Sequence, residues 1–334
     1  VLPKRHEHDL ALAREMEPHI PLRFLEEIRA YGEASGLGYD RALIGACFLD
    51  IHKIAACSTF CVRDASSMTG EVMLGRNLDF PSLGIAHQSN MLVIVEAENR
   101  RPIVSVTWPG FLGLISGMND VGLTFSMMLV YGHTRSDHLK GVPFALHYRD
   151  VVERCETVKD AQREFEALQY SVGNNAMMAD ATRDAAVFEL HPHSVGVIRN
   201  DSGFPVLRCT NHFRTGHRAL SFALTAFSSY PRMFKMWLAE RESRREQRSW
   251  CAGGIKHLLQ EVAIPGISLQ RMVFYPERRE LEVAFGLPTG GERSYVAFSR
   301  DEIWGRGAAL RQPSPMNVAR RPSLRAELVG QGIG

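Results

Sequence analysis

The chain has 334 residues, 45% of them apolar and 23% charged, with a net charge of +2 and the two signs interspersed. That balance gives no basic field for nucleic acid or an anionic membrane. No apolar run approaches the roughly 20 residues of a membrane-spanning helix, and six cysteines in a chain this long are too sparse for a disulfide framework.

The first 56 residues read as helical. "IPLRFLEEIRAYGEASG" spaces its apolar residues helically and ends in Gly, and "YDRALIGACFLDIHKIAA" is a second such segment. From Cys57 the texture changes to short β-type runs. "CSTFCVRD" and "GEVMLGRNLDF" flank "ASSMTG" as a hairpin, "MLVIVEAE" and "PIVSVTW" flank "NRR", and "FLGLISG" and "GLTFSMMLV" flank "MNDV". Two helices follow, "VPFALHYRDVVERC" and one that begins after Thr157, a natural N-cap.

Strands return in "NAMMADA", "AAVFELH", "SVGVIRN" and "FPVLRCTNHF". Helices are expected over about 217–247 and in "GGIKHLLQEVA", then a hairpin "RMVFYPERRELEVAF" and the strand "SYVAFSR". The Arg-, Pro- and Gly-containing stretch at 306–334 reads as a disordered tail. The basic clusters at 240–248 and 319–325 read as a solvated helix end and part of that tail. Hairpins interrupted by helical pairs lack the strict alternation of a parallel doubly wound sheet, and an α+β fold of two stacked antiparallel sheets covered by helices would satisfy them. Three regions are expected: a helical N-terminal segment at 1–56, one domain at 57–305 and the tail.

Taken alone, Cys57 is an ordinary buried thiol. Across the predicted hairpin, strand alternation puts Val72, Leu74 and Arg76 on one face. A buried arginine needs a partner. It can pair with Asp79, or it can hold a neighbouring thiol as thiolate, since a nearby cation lowers a cysteine pKa. Asn119 in "SGMNDVGL" reads as a turn former, Asn211 in "CTNHF" as a strand terminator and Arg232 in "SSYPRMFK" as a surface arginine. His212 raises a second possibility, a Cys–His thiol hydrolase, although Cys57 lacks the helix-start context such a nucleophile uses. No cysteine pair or Cys/His cluster has metal-ligand spacing and no phosphate loop is present, so no cofactor is expected.

In order along the chain, "CSTF", "GRNLDF", "SGMNDVGLTFS", "NNAMMADATRDAAVFEL", "CTNHF" and "SSYPRM" resemble the cysteine branch of the N-terminal-nucleophile hydrolases. That branch includes choloylglycine hydrolase, penicillin V acylase and the autoproteolytic, isopenicillin N acyltransferase-like enzymes. The resemblance implies an αββα sandwich and self-cleavage at Ala56–Cys57, after which Cys57 owns a thiol and a free α-amine. An α-amine titrates near pH 8 and can serve as the base. The resemblance further implies that Arg76 stabilises the thiolate and Asp79 orients the α-amine. The Asn211 side chain and Asn119 backbone N–H would form an oxyanion hole. Arg232 fills the remaining polar position, with Asn175 or Asn174 as an additional candidate. Two positions depart from the pattern: Ala56 stands where Gly is frequent, and "CST" where "CTS" is common.

The expected substrate is a small N-acyl amide with an apolar acyl group, turned over through acyl-Cys57 to water or an amine. "VTWPGFLG" and Met127–Met128 are candidate lining for that group, although ordinary core is the better account of them. A non-catalytic binding protein on the same fold, uncut and with an inert Cys57, is the rival from another class. The sequence is compatible with a homo-oligomer. Sparse cysteines and a polar start make cytoplasmic residence the default expectation, with export if a leader preceded Val1.

Overall fold

Helical spacing in the N-terminal segment resolves into three helices, α1 (Leu2–Met16), α2 (Leu22–Ala34) and α3 (Tyr39–His52). The structure, a computed structural model, describes residues 2–130, 138–168, 170–199, 205–215, 226–286 and 294–305. Ala13, Met16, Phe24, Ile28, Leu43 and Cys47 of these helices bury a small core of their own, shared with Leu146 of the following domain. The seam is ionic as well as apolar: Arg23 pairs with Asp150 and Glu153, and the buried Arg149 pairs with Glu27 and Glu153. The segment therefore has its own core, while Leu49 and Phe48 of α3 also pack into the main core of the residues that follow.

From Ala56 the chain runs β1 (Ala56–Val62), β2 (Met73–Asp79), β3 (Met91–Val95), β4 (Ile103–Thr107), β5 (Ser116–Asn119) and β6 (Thr124–Leu129). Then come α4 (Phe144–Arg154) and α5 (Val158–Ala167). The Thr157 side chain caps α5 by accepting from Asp160 N at 3.2 Å. Next are β7 (Asn174–Ala179), β8 (Ala185–His191), β9 (Ser194–Ile198) and β10 (Val206–Cys209). Last come α6 (Ala226–Arg245), α7 (Ala252–Glu261), β11 (Ser268–Tyr275), β12 (Glu280–Phe285), β13 (Val296–Phe298) and a short α8 (Arg300–Trp304) that sequence reading missed. The expected start of α6 near 217 and the tail at 306–334 lie outside the described residues.

Two sheets form, ordered β10-β1-β2-β11-β12-β13 and β3-β4-β5-β6-β7-β8-β9, with antiparallel pairing throughout. Strand alternation splits their side chains between two layers. Phe60, Val62, Met73 and Val273 turn outward onto Ile255, Leu258 and Met236 of α7 and α6. Gly75 allows that approach, because a Cβ there would stand 2.4 Å from Ile255 Cγ2. Cys57, Cys61, Leu74 and Met272 turn inward and join the main core with Met128 and Phe125. On the far side, Tyr148 of α4 packs on Phe125 with ring centroids 4.8 Å apart. The result is the expected αββα sandwich. No helix among the described residues is long and apolar enough to cross a membrane.

Candidate active site

Cys57 enters the inner face at the start of β1, opposite Leu78 of β2. Arg76, two residues back on β2, reaches diagonally across the ladder so that Nη2 lies 3.3 Å from the sulfur. Its other terminal nitrogen donates to the Met127 carbonyl and lies near Met128 Sδ. Arg76 and Asp79 fall on opposite faces of β2, so the simple ion pair between them gives way to the Arg76–thiol contact. Asp79, opposite Ala56, accepts instead from the Ser268 hydroxyl, and its Oδ2 stands 3.7 Å from Arg232 Nη1. Among the described residues that Oδ2 accepts no hydrogen bond of good geometry, one ladder position from Cys57.

Three side chains hold the peptide of Cys57. Asn211 Oδ1 accepts the Cys57 N–H at 2.9 Å, and Arg232 donates to the Cys57 carbonyl. Arg232 Nη2 also donates to Asn211 Oδ1 at 2.8 Å, locking the two together. Far from a surface arginine, Arg232 is buried, brought inward just after Pro231 in α6. Asn211 Nδ2 donates to the Leu129 carbonyl at 2.7 Å, so in the intact chain its amide is already engaged.

Asn119 does not reach this cluster. Its N–H donates to Leu123 O at 3.0 Å within the β5–β6 turn, and its Nδ2 ties that turn to the end of α4 through Val152 O and Cys155 O. The Asn119 N–H expected as an oxyanion donor is thus already engaged. The backbone N–H of Leu129, at the opposite end of β6, lies by the Cys57 sulfur and favours its thiolate. Alternation along β6 explains it: Met127 N bonds Ile115 O and Val130 N bonds Gly173 O, so Leu129 N faces the side where β5 has not yet begun. Only pairing register reveals this donor, because a backbone group leaves no side-chain signature.

The second asparagine pair divides its work. Asn175 Nδ2 donates to Thr210 O and His212 O at 3.0 and 2.9 Å, bracing the turn that carries Asn211. Asn174 points to the other face. Ser229 accepts the Asn211 N–H at 2.9 Å, a brace that sequence reading missed. His212 turns its Nδ1 to Ser229 Oγ at 2.7 Å and stacks on Tyr230, away from the sulfur. Burial and the nearby Arg232 push its pKa down to about 4, so its imidazole is neutral and weakly basic. Of the candidate acyl lining, Met127 and Met128 are buried between the layers and Trp108 is half-buried, bonding Ala86 O.

Electrostatically the thiol is latent. Burial pushes the Cys57 pKa up, against the opposing pull of Arg76 and, more weakly, Arg232. Asp79 is likewise pushed up by burial and pulled back by Arg232. The Arg76 guanidinium is itself disfavoured by its burial. Among the described residues no cluster of three or more His, Cys, Asp or Glu is arranged to hold a metal ion.

A sandwich of two stacked antiparallel sheets covered by helices is the N-terminal-nucleophile hydrolase fold. The chain belongs to the acyl-coenzyme A:6-aminopenicillanic acid acyl-transferase family, whose match covers residues 67–242. Two solved structures share the architecture. A Caenorhabditis elegans N-acylethanolamine-hydrolyzing acid amidase ortholog superposes with a TM-score of 0.52 at 14% identity, covering 66% of this chain and 93% of that one. A mutant conjugated bile acid hydrolase from Clostridium perfringens gives 0.52 at 11% identity, covering 74% and 93%. At such identities the likeness is one of fold. An uncharacterized protein of Archaeoglobus fulgidus is 24% identical over 172 residues, 45% of this chain, and the match spans only 29% of that relative's length.

Proposed function

We propose that this enzyme is a self-processing amidohydrolase or N-acyltransferase that cleaves a non-peptide C–N amide bond through an acyl-Cys57 thioester. The observation that carries the reading is the separate clamping of each part of one residue: Arg76 on the sulfur, Asn211 on the nitrogen and Arg232 on the carbonyl oxygen. Core filler needs none of these. Residues 1–56 act as the propeptide and 57–305 as the catalytic unit.

In the processing step the Cys57 sulfur attacks the Ala56 carbonyl carbon, the C–N bond breaks, and the thiol proton passes to the departing nitrogen. Water then hydrolyses the Ala56 thioester, releasing a carboxylate and restoring the thiol beside a new α-amine. Asp79 Oδ2 is the acceptor that orients this amine, and the amine takes the thiol proton in each later turnover. The Leu129 N–H and the Asn211 amide serve as oxyanion donors once Asn211 exchanges its bond to Leu129 O for the substrate oxygen. Water as acceptor gives hydrolysis and an amine gives transfer. A small N-acyl amide is the substrate.

Intact-mass measurement and N-terminal sequencing test the reading. We expect a species starting at Cys57, an uncut 37.4 kDa chain for Cys57→Ala, and retained cleavage and amide hydrolysis for His212→Ala. Full-length protein alone, with no labelling of Cys57 by a thiol reagent and no turnover of N-acyl amides, would mark a non-catalytic binding protein instead.

A further inference from the structure

Each sheet of the sandwich ends in two edge strands, β10 and β13 in one, β3 and β9 in the other. Three of these edges are blunted. β10 has four residues, and its Arg208 is paired with Glu240 of α6. β13 has three. β9 carries Gly196, which lies so close to Thr215 that a Cβ would stand 2.5 Å from its Oγ1. β3 is different: it runs Met91, Leu92, Val93, Ile94, Val95, with no charge, proline or glycine. An open apolar edge is a template for another strand, and natural edges are normally shortened, charged or covered.

Pairing register shows which backbone groups of β3 face outward. Asp120 N donates to Pro102 O at 3.1 Å, so Pro102 and Val104 turn their peptide groups to β5. Ile103, Ser105 and Thr107 therefore turn theirs to β3, where they face Val95, Val93 and Met91. The N–H and C=O of Leu92 and Ile94 point away from β4, and no other strand among the described residues lies beside them. Leu92, Ile94 and Val95 pack against the main core, while Met91 and Val93 join none of the buried clusters among the described residues. At the Met91 end, Ala86 O accepts from the indole of Trp108, the residue after Thr107. The turn that carries Ala86 displays Leu83 and Ile85, which are 70% and 69% exposed.

We propose that β3 is the pairing edge of a homodimer, in which two copies of this chain join antiparallel about a twofold axis at Val93 and their seven-stranded sheets become one. The dimer is independent of the chemistry at Cys57. Pairing about that axis sets Leu92 opposite Ile94 of the other copy, so each open N–H meets an open C=O. Charge selects the direction. The antiparallel arrangement sets the exposed Glu96 opposite Asn90 and the exposed Glu98 opposite Gln88, each a carboxylate against a neutral amide. A parallel arrangement would set Glu96 against Glu96 and Glu98 against Glu98, which repel. Met91, Val93 and Val95 of both copies then form one apolar strip. A pair of strands alone is small against the roughly 1,200 Å² of a stable interface. Leu83 and Ile85 of each copy, brought to the Val95 end of the other, extend the apolar contact beyond the strands.

Sedimentation equilibrium of the full chain should give twice its 37.4 kDa mass, with Cys57→Ala used to keep the protomer whole. Val93→Lys, which sets two like charges face to face at the axis, should weaken self-association by about tenfold or more and leave the melting temperature of the dilute protein unchanged. Val93→Cys should cross-link the two copies on oxidation, because opposite residues at a non-hydrogen-bonded position lie about 4.5 Å apart. The parent and Glu98→Cys should not cross-link. The Leu92 and Ile94 amides should exchange with deuterium more slowly as protein concentration rises. A monomer at every concentration with fast exchange at those amides overturns the dimer. A monomer in which they are nevertheless protected means that another part of the same chain covers the edge, and overturns a second copy as its occupant. A dimer that survives Val93→Lys, with no Val93→Cys cross-link, overturns β3 as its interface.

Discussion

Arg76 is fully buried, and its role follows from what its two ends touch: the Cys57 sulfur and the Met127 carbonyl. An opposite charge next to a titrating group shifts it by about one to three units. Arg76→Met is therefore expected to raise the Cys57 pKa in the processed enzyme by about that much, read as the alkylation rate against pH, while Arg76→Lys restores part of the shift. A purely structural arginine would move the melting temperature and leave the alkylation profile in place. Cys57, Arg76, Asp79, Asn211 and Arg232 were legible in the sequence because each is a side chain in a recurring short motif. The Leu129 N–H was not, since a backbone donor is chosen by strand register alone. Asn119 was misassigned for the complementary reason: its motif is real, but the motif describes a turn.

The three N-terminal helices form an element with divided loyalties. Their own core keeps them helical, and the pairs Arg149–Glu27 and Arg23–Asp150 fasten them to α4. Glu27 is half-buried and its Arg149 partner is buried, so this pair is better placed than an exposed one, where the gain is about 0–1 kcal/mol. Glu27→Gln is expected to loosen the docked segment by about 1 kcal/mol. In cleaved protein that appears as several-fold faster loss of the 1–56 fragment, measured by native mass spectrometry. A double-mutant cycle with Arg149→Met should show the two changes coupled. Helical periodicity announced these helices. Their docking partner was not announced, because the complementary charges are more than a hundred residues away in the chain.

At the scale of the molecule, opposed buried groups shape stability. His147 on α4 and His212 are pushed down to about 4 by burial, so between there and the ordinary histidine range near 6.5 the unfolded chain binds more protons. Stability is lost as pH falls through that window. Asp50 is pushed up to about 8, so from the ordinary aspartate range upward the folded chain binds more protons, and stability is lost as pH rises. Asp79, also raised, adds in the same sense. Thermal unfolding across pH should pass through a maximum in the weakly acidic range; Asp50→Asn should flatten the alkaline limb and His147→Phe the acid limb. An identical profile in both variants would exclude these groups as the cause. The sequence by itself determined the succession of hairpins and helical pairs, because periodicity and turn residues act locally, while the two-layer sandwich and the side chains expected around Cys57 came through the family resemblance of its short motifs. Only the tertiary structure decided that Asn211 and Arg232 grip the Cys57 peptide, that His212 turns to Ser229 and that the Leu129 N–H comes to the Cys57 sulfur. Those are contacts between residues far apart in the chain, and they exist only once both sheets and the segment have packed.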